Sequence, residues 1–145
     1  MNYIIKSPET EQEWEKYFAF RWKLLRKPWN MPLSSLKDSL ENESFHLIAL
    51  SINNEIVASG RLHFINTKEA QIRYMAVAEN IRREGLGSKI LFRLEEEARN
   101  HGMEKVILNS RNNSIEFYKS LNYSEKSPYH SDTGIPHTRM EKIFT

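Results

Sequence analysis

Two arginines and two glycines stand together in Arg82-Arg83-Glu84-Gly85-Leu86-Gly87-Ser88, where a strand-like run gives way to a helical pattern. Glycine has no Cβ, so an anion can approach the backbone closely at Gly85 and Gly87. Successive N–H groups of such a loop, joined by the unpaired N–H groups of a helix's first turn, form a cradle for a phosphate or pyrophosphate. Arg82 and Arg83 add full charges beside it. Two other phosphate motifs fail on spacing. The dinucleotide fingerprint needs a third glycine where Ile90 stands, and the P-loop needs Gly-Lys-Ser/Thr, whereas Ser88 and Lys89 follow Gly87 in the reverse order.

The remaining chemistry is sparse. With no cysteine, the chain has no disulfide scaffold, no Cys-based zinc site and no thiol nucleophile. Five histidines, His46, His63, His101, His130 and His137, include no pair at metal-ligand spacing, so no metal is expected. Lys and Arg number 21 against 19 Asp and Glu, a net charge of +2 that argues against a dedicated nucleic-acid binder. No apolar run reaches signal-peptide or membrane-spanning length, so a soluble cytoplasmic protein with no membrane partner is expected.

The elements that must position these groups are legible in outline, and 145 residues suit a single domain spanning 1–145. A short strand at Tyr3–Ile5 precedes Thr10-x-x-Glu13, the form of a capping box. Trp14, Tyr17, Phe18, Trp22 and Leu25 then recur at helical spacing, which predicts a helix ending before Pro28. Residues 27–42 read as a loop with a short helix around Leu33, Leu36 and Leu40. Phe45–Ile52 and Glu55–Ile65 alternate as strands about an Asn53-Asn54 turn, and Ala70–Val77 follows as a third antiparallel strand. Gly85–Asn100 predicts a long helix stopped by Gly102. Val106–Leu108 reads as a buried parallel strand, Asn113-x-x-Glu116 as the cap of a helix to Leu121, and two strands close the chain near Tyr123–Lys126 and His137–Phe144. The fold class is α/β (α+β), with a mixed, mostly antiparallel sheet of six to seven strands flanked by about four helices.

Arg82-x-x-Gly85-x-Gly87 resembles the acyl-CoA pyrophosphate motif of the GNAT (Gcn5-related N-acetyltransferase) superfamily, with Met75-Ala76-Val77 matching its splayed fourth strand. Downstream, Ser114-Ile-Glu-Phe-Tyr118-Lys-Ser-Leu-Asn-Tyr123 is similar to the family's Ala-x-x-x-Tyr-x-x-x-Gly-Phe signature. Arg26–Pro32 and Gly134–His137 look most like the small bacterial ElaA-like branch. The resemblance covers essentially the whole chain. It implies direct attack of an acceptor amine on acetyl-CoA, with no covalent enzyme intermediate and no metal. On that pattern Arg82, Arg83, Glu84, Gly85, Leu86, Gly87 and Ser88 hold the pyrophosphate, while Met75, Ala76 and Val77 pair with the pantetheine arm. Tyr118 matches the tyrosine that serves the departing sulfur; without the resemblance it reads as a core aromatic beside Phe117 and Leu121. A phenol of ordinary pKa, about 10, would suit that thiolate.

The sequence also departs from the pattern. Gln71 falls where histone-type members carry a catalytic Glu, so the base passes to His63 or His137, with Glu69 a poorer choice. Arg111 replaces a common Asn, and Asn109 is expected to take over part of its contact. Asn122 replaces the glycine of Gly-Phe, a position that tolerates left-handed backbone in asparagine. Arg61 and Arg73 fall in central strands and must pair with carboxylates or face the cleft. Specificity is expected from residues 27–42 and 129–137, and the carboxylates Asp38, Glu41 and Glu43 would suit a cationic acceptor or simply a solvated loop. The acceptor amine stays unidentified and a homodimer stays open. The alternative from another class is a non-catalytic acyl-CoA-binding module.

Overall fold

The computed structural model describes residues 2–144. A seven-stranded sheet runs in the order β1-β2-β3-β4-β5-β7-β6. Its strands are β1 (Ile4–Lys6), β2 (Phe45–Leu50), β3 (Ile56–Phe64), β4 (Glu69–Val77), β5 (Lys105–Arg111), β6 (Ser124–His130) and β7 (Pro136–Ile143). The α-helices are α1 (Glu11–Leu25), α2 (Leu86–Asn100) and α3 (Ile115–Ser120). That makes three helices among the described residues rather than four. Residues 27–42, where a short helix was expected, form tight 3-10 turns at Lys27–Trp29, Leu33–Ser35 and, just beyond, Glu41–Glu43. Pro28 and Pro32 each remove an amide donor there, and Asp38 and Glu41 are drawn into ion pairs instead.

Local chemistry sets most boundaries. Thr10 Oγ1 accepts the Glu13 N–H at 3.1 Å while Glu13 Oε1 accepts the Thr10 N–H at 3.2 Å, completing the capping box. Asn54 takes φ +60° in the β2–β3 turn, and Gly102 takes φ +78° where α2 stops. The cap expected at Asn113 is not formed: Ser114 is the α3 N-cap, with no side-chain hydrogen bond.

Alternation along β2 divides the protein into two layers. Leu47 and Ala49 join the core beneath α2, while Ile48 and Leu50 face Tyr17 on α1. Gly60 on β3 lets α2 approach closely, since a Cβ there would lie 2.9 Å from both Ile90 Cγ2 and Leu94 Cδ1. The α1 stripe is less apolar than its spacing suggests, because Arg21, on the same face, is completely buried.

The sheet divides at its centre. β4 and β5 pair in parallel only from Glu69–Lys105 to Gln71–Ile107, and no ladder joins them further on. Just beyond, Tyr74 and Met75 of β4 oppose the single residue Gly60 of β3, and Tyr74 adopts φ +59°. Such a bulge kinks a strand and increases its twist. β4 therefore stays bound to β3 on one side while its other edge turns away from β5.

Candidate active site

The divergence of β4 and β5 opens a cleft of about 770 Å³. Met75, Ala76 and Val77 line one wall, and Asn109, Ser110 and Arg111 line the other. From Ile72 onward, the β4 edge facing β5 has no partner strand among the described residues, so backbone groups along it are left for a ligand.

The N-terminus of α2 opens into the same cleft. Gly85 caps the helix in left-handed backbone at φ +80°, without a side-chain hydrogen bond, leaving the N–H groups of Leu86, Gly87 and Ser88 for an external acceptor. Arg83 also has φ +75°, which folds the preceding backbone toward the helix start. Arg82, Arg83, Gly85, Leu86, Gly87 and Ser88 all line the cleft, whereas Glu84 is exposed and does not. Arg82 Nε donates to the Val77 carbonyl at 3.2 Å, tying the basic loop to the end of β4.

Tyr118, 9% exposed, reaches the cleft from α3. Its ring is edge-on to Phe117 and Tyr123, with centroids at 5.0 and 5.8 Å. Burial pushes the phenol up to about 12, against a smaller opposing effect of Arg111. Tyr123 is positioned from below by a buried cluster: its hydroxyl donates to Glu95 Oε2 at 2.7 Å, and Lys142 Nζ donates to Glu95 Oε1 at 3.0 Å. That cluster locks α2 to the segment following α3.

The two histidines separate. His137 on β7 lines the cleft, and its Nδ1–H donates to the Ile135 carbonyl at 2.7 Å, leaving Nε2 as an acceptor. His63 is not in the cleft. It lies on β3, one strand away from the division, where its Nδ1 accepts from Arg61 Nη2 at 3.3 Å. Burial, with Arg61 and Arg73 adding to it, lowers its pKa and keeps it neutral. Strand alternation explains the placement, since residues 61 and 63 share one face. Gln71 closes the β4–β5 ladder outside the cleft, and Glu69 pairs with Lys105.

Other lining residues come from the 26–32 segment and from residues 129–137, where specificity was expected. Arg26, Trp29 and Asp132 are brought in by the end of α1 and by the β6–β7 connection. Tyr74 also lines the cleft, with the guanidinium of Arg21 only 3.7 Å from its ring centroid and those of Arg61 and Arg73 at 4.9 and 4.8 Å. Asp38 binds Arg61 through both oxygens at 2.7 and 2.9 Å and also Arg73 at 3.1 Å. Glu41 binds Arg21 through both oxygens at 2.9 and 3.0 Å. These two carboxylates neutralise buried arginines instead of lining the cleft.

The model of the "Acetyltransferase (GNAT) domain" family matches residues 25–144. The uncharacterized N-acetyltransferase YjcF of Bacillus subtilis (strain 168) is 31% identical over 137 residues, covering 92% of this chain and 95% of that protein. Among solved structures, Escherichia coli ElaA superposes with a TM-score of 0.78 at 18% identity, covering 97% of this chain and 98% of that one. An aminoglycoside 6'-N-acetyltransferase complexed with coenzyme A superposes with a TM-score of 0.79 at 14% identity, covering 97% and 96%. At these identities the structural likeness concerns the fold. Among the described residues, no helix is long and apolar enough to cross a membrane.

Proposed function

Because the chain belongs to the GNAT acetyltransferase family, we propose that it transfers an acetyl group from acetyl-CoA directly to an acceptor amine while both substrates are bound. The observation that carries this reading is a single cleft joining an uncapped helix N-terminus, an unpaired strand edge and a buried phenol. Acetyl-CoA supplies an activated thioester; everything else is done by this chain's residues.

The N–H groups of Leu86, Gly87 and Ser88, with the charges of Arg82 and Arg83, hold the diphosphate. The free edge at Met75–Val77 pairs with the pantetheine arm as an added strand would, and Asn109 meets it from β5. One of the freed β4 amides donates to the thioester oxygen as negative charge develops there. His137 Nε2 takes a proton from the acceptor nitrogen, directly or through a water. The nitrogen lone pair forms the C–N bond, the C–S bond breaks, and Tyr118 donates a hydrogen bond to the departing sulfur. Burial holds the phenol near 12, above the ordinary tyrosine range, which disfavours complete transfer of its proton. Tyr118 therefore stabilises the thiolate as a hydrogen-bond donor, a narrower role than a phenol of ordinary acidity would have. The absence of cysteine is consistent with direct transfer.

Calorimetric titration with CoA, followed by thiol release from acetyl-CoA over an amine panel, tests the proposal. Saturable CoA binding and amine-dependent thiol release are expected. Failure to bind CoA, or an acetylated protein accumulating on the reaction path by intact mass, would overturn it.

A further inference from the structure

The charge gathered around Tyr74, which lines the cleft, bears on the acceptor. Four guanidiniums, those of Arg21, Arg26, Arg61 and Arg73, gather within 6 Å of the Tyr74 ring, and Arg111 lines the same cleft with its guanidinium 5.5 Å from the Trp29 ring. Among the described residues, only Asp38, Glu41 and Asp132 pair with any of these five. Asp38 and Glu41 are taken up largely by the fully buried Arg21 and Arg61. Arg73 shares Asp38. Arg26 is 6% exposed; its Nη1 meets Asp132, whose side chain is 63% exposed, and its Nε has no partner. Arg111 has no carboxylate within ion-pairing distance among the described residues, although it is drawn partly out of water and lies near Arg82. A cation removed from water without a counter-ion is costly, so such a group favours a ligand that brings one.

The surplus is also well placed. Arg111 is directly opposite His137 in the β5–β7 ladder, and Trp29 and Asp132 line the same cleft. Resting on the acetyltransfer reading above, we propose that the acceptor is a small amine bearing its own acid group, carboxylate or phosphate, held by Arg111 with support from Arg26 and Arg73. The bound anion offsets part of the positive charge that Asp38, Glu41 and Asp132 leave uncompensated, and its short reach from the amine brings that amine to His137. Polycationic amines are rejected by the same charges.

Matched pairs test this. The CoA-loaded protein is titrated with, and the enzyme assayed on, an amino acid and its carboxamide, O-phosphoethanolamine and ethanolamine, glucosamine 6-phosphate and glucosamine, and spermidine. At least one acid-bearing member is expected to bind or react at least tenfold better than its uncharged twin, and whether the carboxylates or the phosphates gain identifies the acid group. Arg111→Gln should reduce that preference to below threefold, and Arg111→Lys should restore part of it, with CoA still raising the melting temperature of both variants. If no acid-bearing amine outperforms its twin while CoA binds normally, this inference fails and the acetyltransferase reading stands. If Arg111→Gln weakens CoA binding and leaves the preference unchanged, Arg111 belongs to the donor half and the inference fails again. Loss of CoA binding by the unaltered protein would instead sink the acetyltransfer reading itself.

Discussion

Replacing Asp38 by Asn removes one charge from the centre of the arginine cluster while keeping the side chain's shape. The amide oxygen can still accept the Leu40 N–H, which Asp38 Oδ1 accepts at 2.9 Å. What is lost is the charge that faces Arg61 at 2.7 Å and Arg73 at 3.1 Å. Arg61 is wholly buried, and its one remaining counter-ion among the described residues is Glu41 at 3.1 Å, already engaged by Arg21. Burial by itself would push the Asp38 carboxyl up. Arg61, the Leu40 amide and Arg73 outweigh it and hold the group at about 2, against an ordinary 3.8. At about 1.4 kcal/mol per pH unit, that difference is about 2.5 kcal/mol, reduced to about 2 kcal/mol at neutral pH by solvent screening of a side chain that is 25% exposed. Breaking a buried pair by deleting one partner costs about 3–5 kcal/mol, and the partial exposure of Asp38 together with the standby Glu41 brings the expectation down toward the same figure. For a chain of this length the melting temperature should fall by roughly 5–8 °C at pH 7. The sign of the pH dependence follows from a depressed carboxylate: the stabilisation is complete above about pH 4 and disappears as pH falls through 2. The gap between native protein and Asp38→Asn should shrink to about half by pH 3, with effects of other carboxylates cancelling in the difference. Calorimetry or urea unfolding of both proteins from pH 7 to 3 measures it. A gap under 2 °C at pH 7, or one unchanged at pH 3, would refute the view that Asp38 compensates a buried charge.

Other substitutions probe the site and its supports separately. Tyr118→Phe should leave the melting temperature within about 2 °C, because the hydroxyl has no hydrogen bond among the described residues. It should lower kcat by roughly 10- to 100-fold with little change in KM for acetyl-CoA, measured by thiol release. Gly87→Ala places a Cβ at 3.4 Å from Val77 Cγ2 and 3.6 Å from Phe117 Cζ, ordinary contacts, so the protein should fold normally. Its CoA affinity should fall about tenfold by calorimetry, because the methyl group stands in the approach to the helix amides. Gly60→Ala should destabilise by about 1–3 kcal/mol in urea unfolding, since its Cβ would come within 2.9 Å of Ile90 Cγ2 and Leu94 Cδ1; an unchanged midpoint would mean that α2 moves more freely than its packing implies.

The readable parts of the chain were those governed by local rules. Thr10-x-x-Glu13, Asn53-Asn54 and Gly102 each satisfy their own backbone, so the helix start, hairpin turn and helix stop fall where their letters place them. The placement of the Arg82–Ser88 run was legible for the same reason: a strand end, glycines and a helix start adjacent in sequence bring this backbone to the cleft. Residues 27–42 were not, because their conformation answers to Arg21 and Arg61, which belong to α1 and β3. His63 and His137 were chemically equivalent as letters. Only the register separates them: His63 pairs with Gln71, where β4 and β5 are still joined, whereas His137 pairs with Arg111, beyond the end of that ladder.

By itself, then, the sequence determined most of the elements, the glycine-flanked start of α2 and the exclusion of thiol chemistry, because each depends on residue type or on neighbours a few positions apart. Tertiary structure decided what meets that helix across the cleft. The Tyr74–Met75 bulge turns β4 away from β5 and exposes a backbone edge. Long-range packing then brings Arg26, Trp29, Arg111, Tyr118 and His137 around the gap. It also decided the meaning of a nearly neutral composition, since charges that cancel over 145 residues are sorted by the fold into neutralised arginines in the interior and a cationic cleft. Net charge is a sum and carries no positions; Coulomb interactions depend on distance, and the distances exist only after folding.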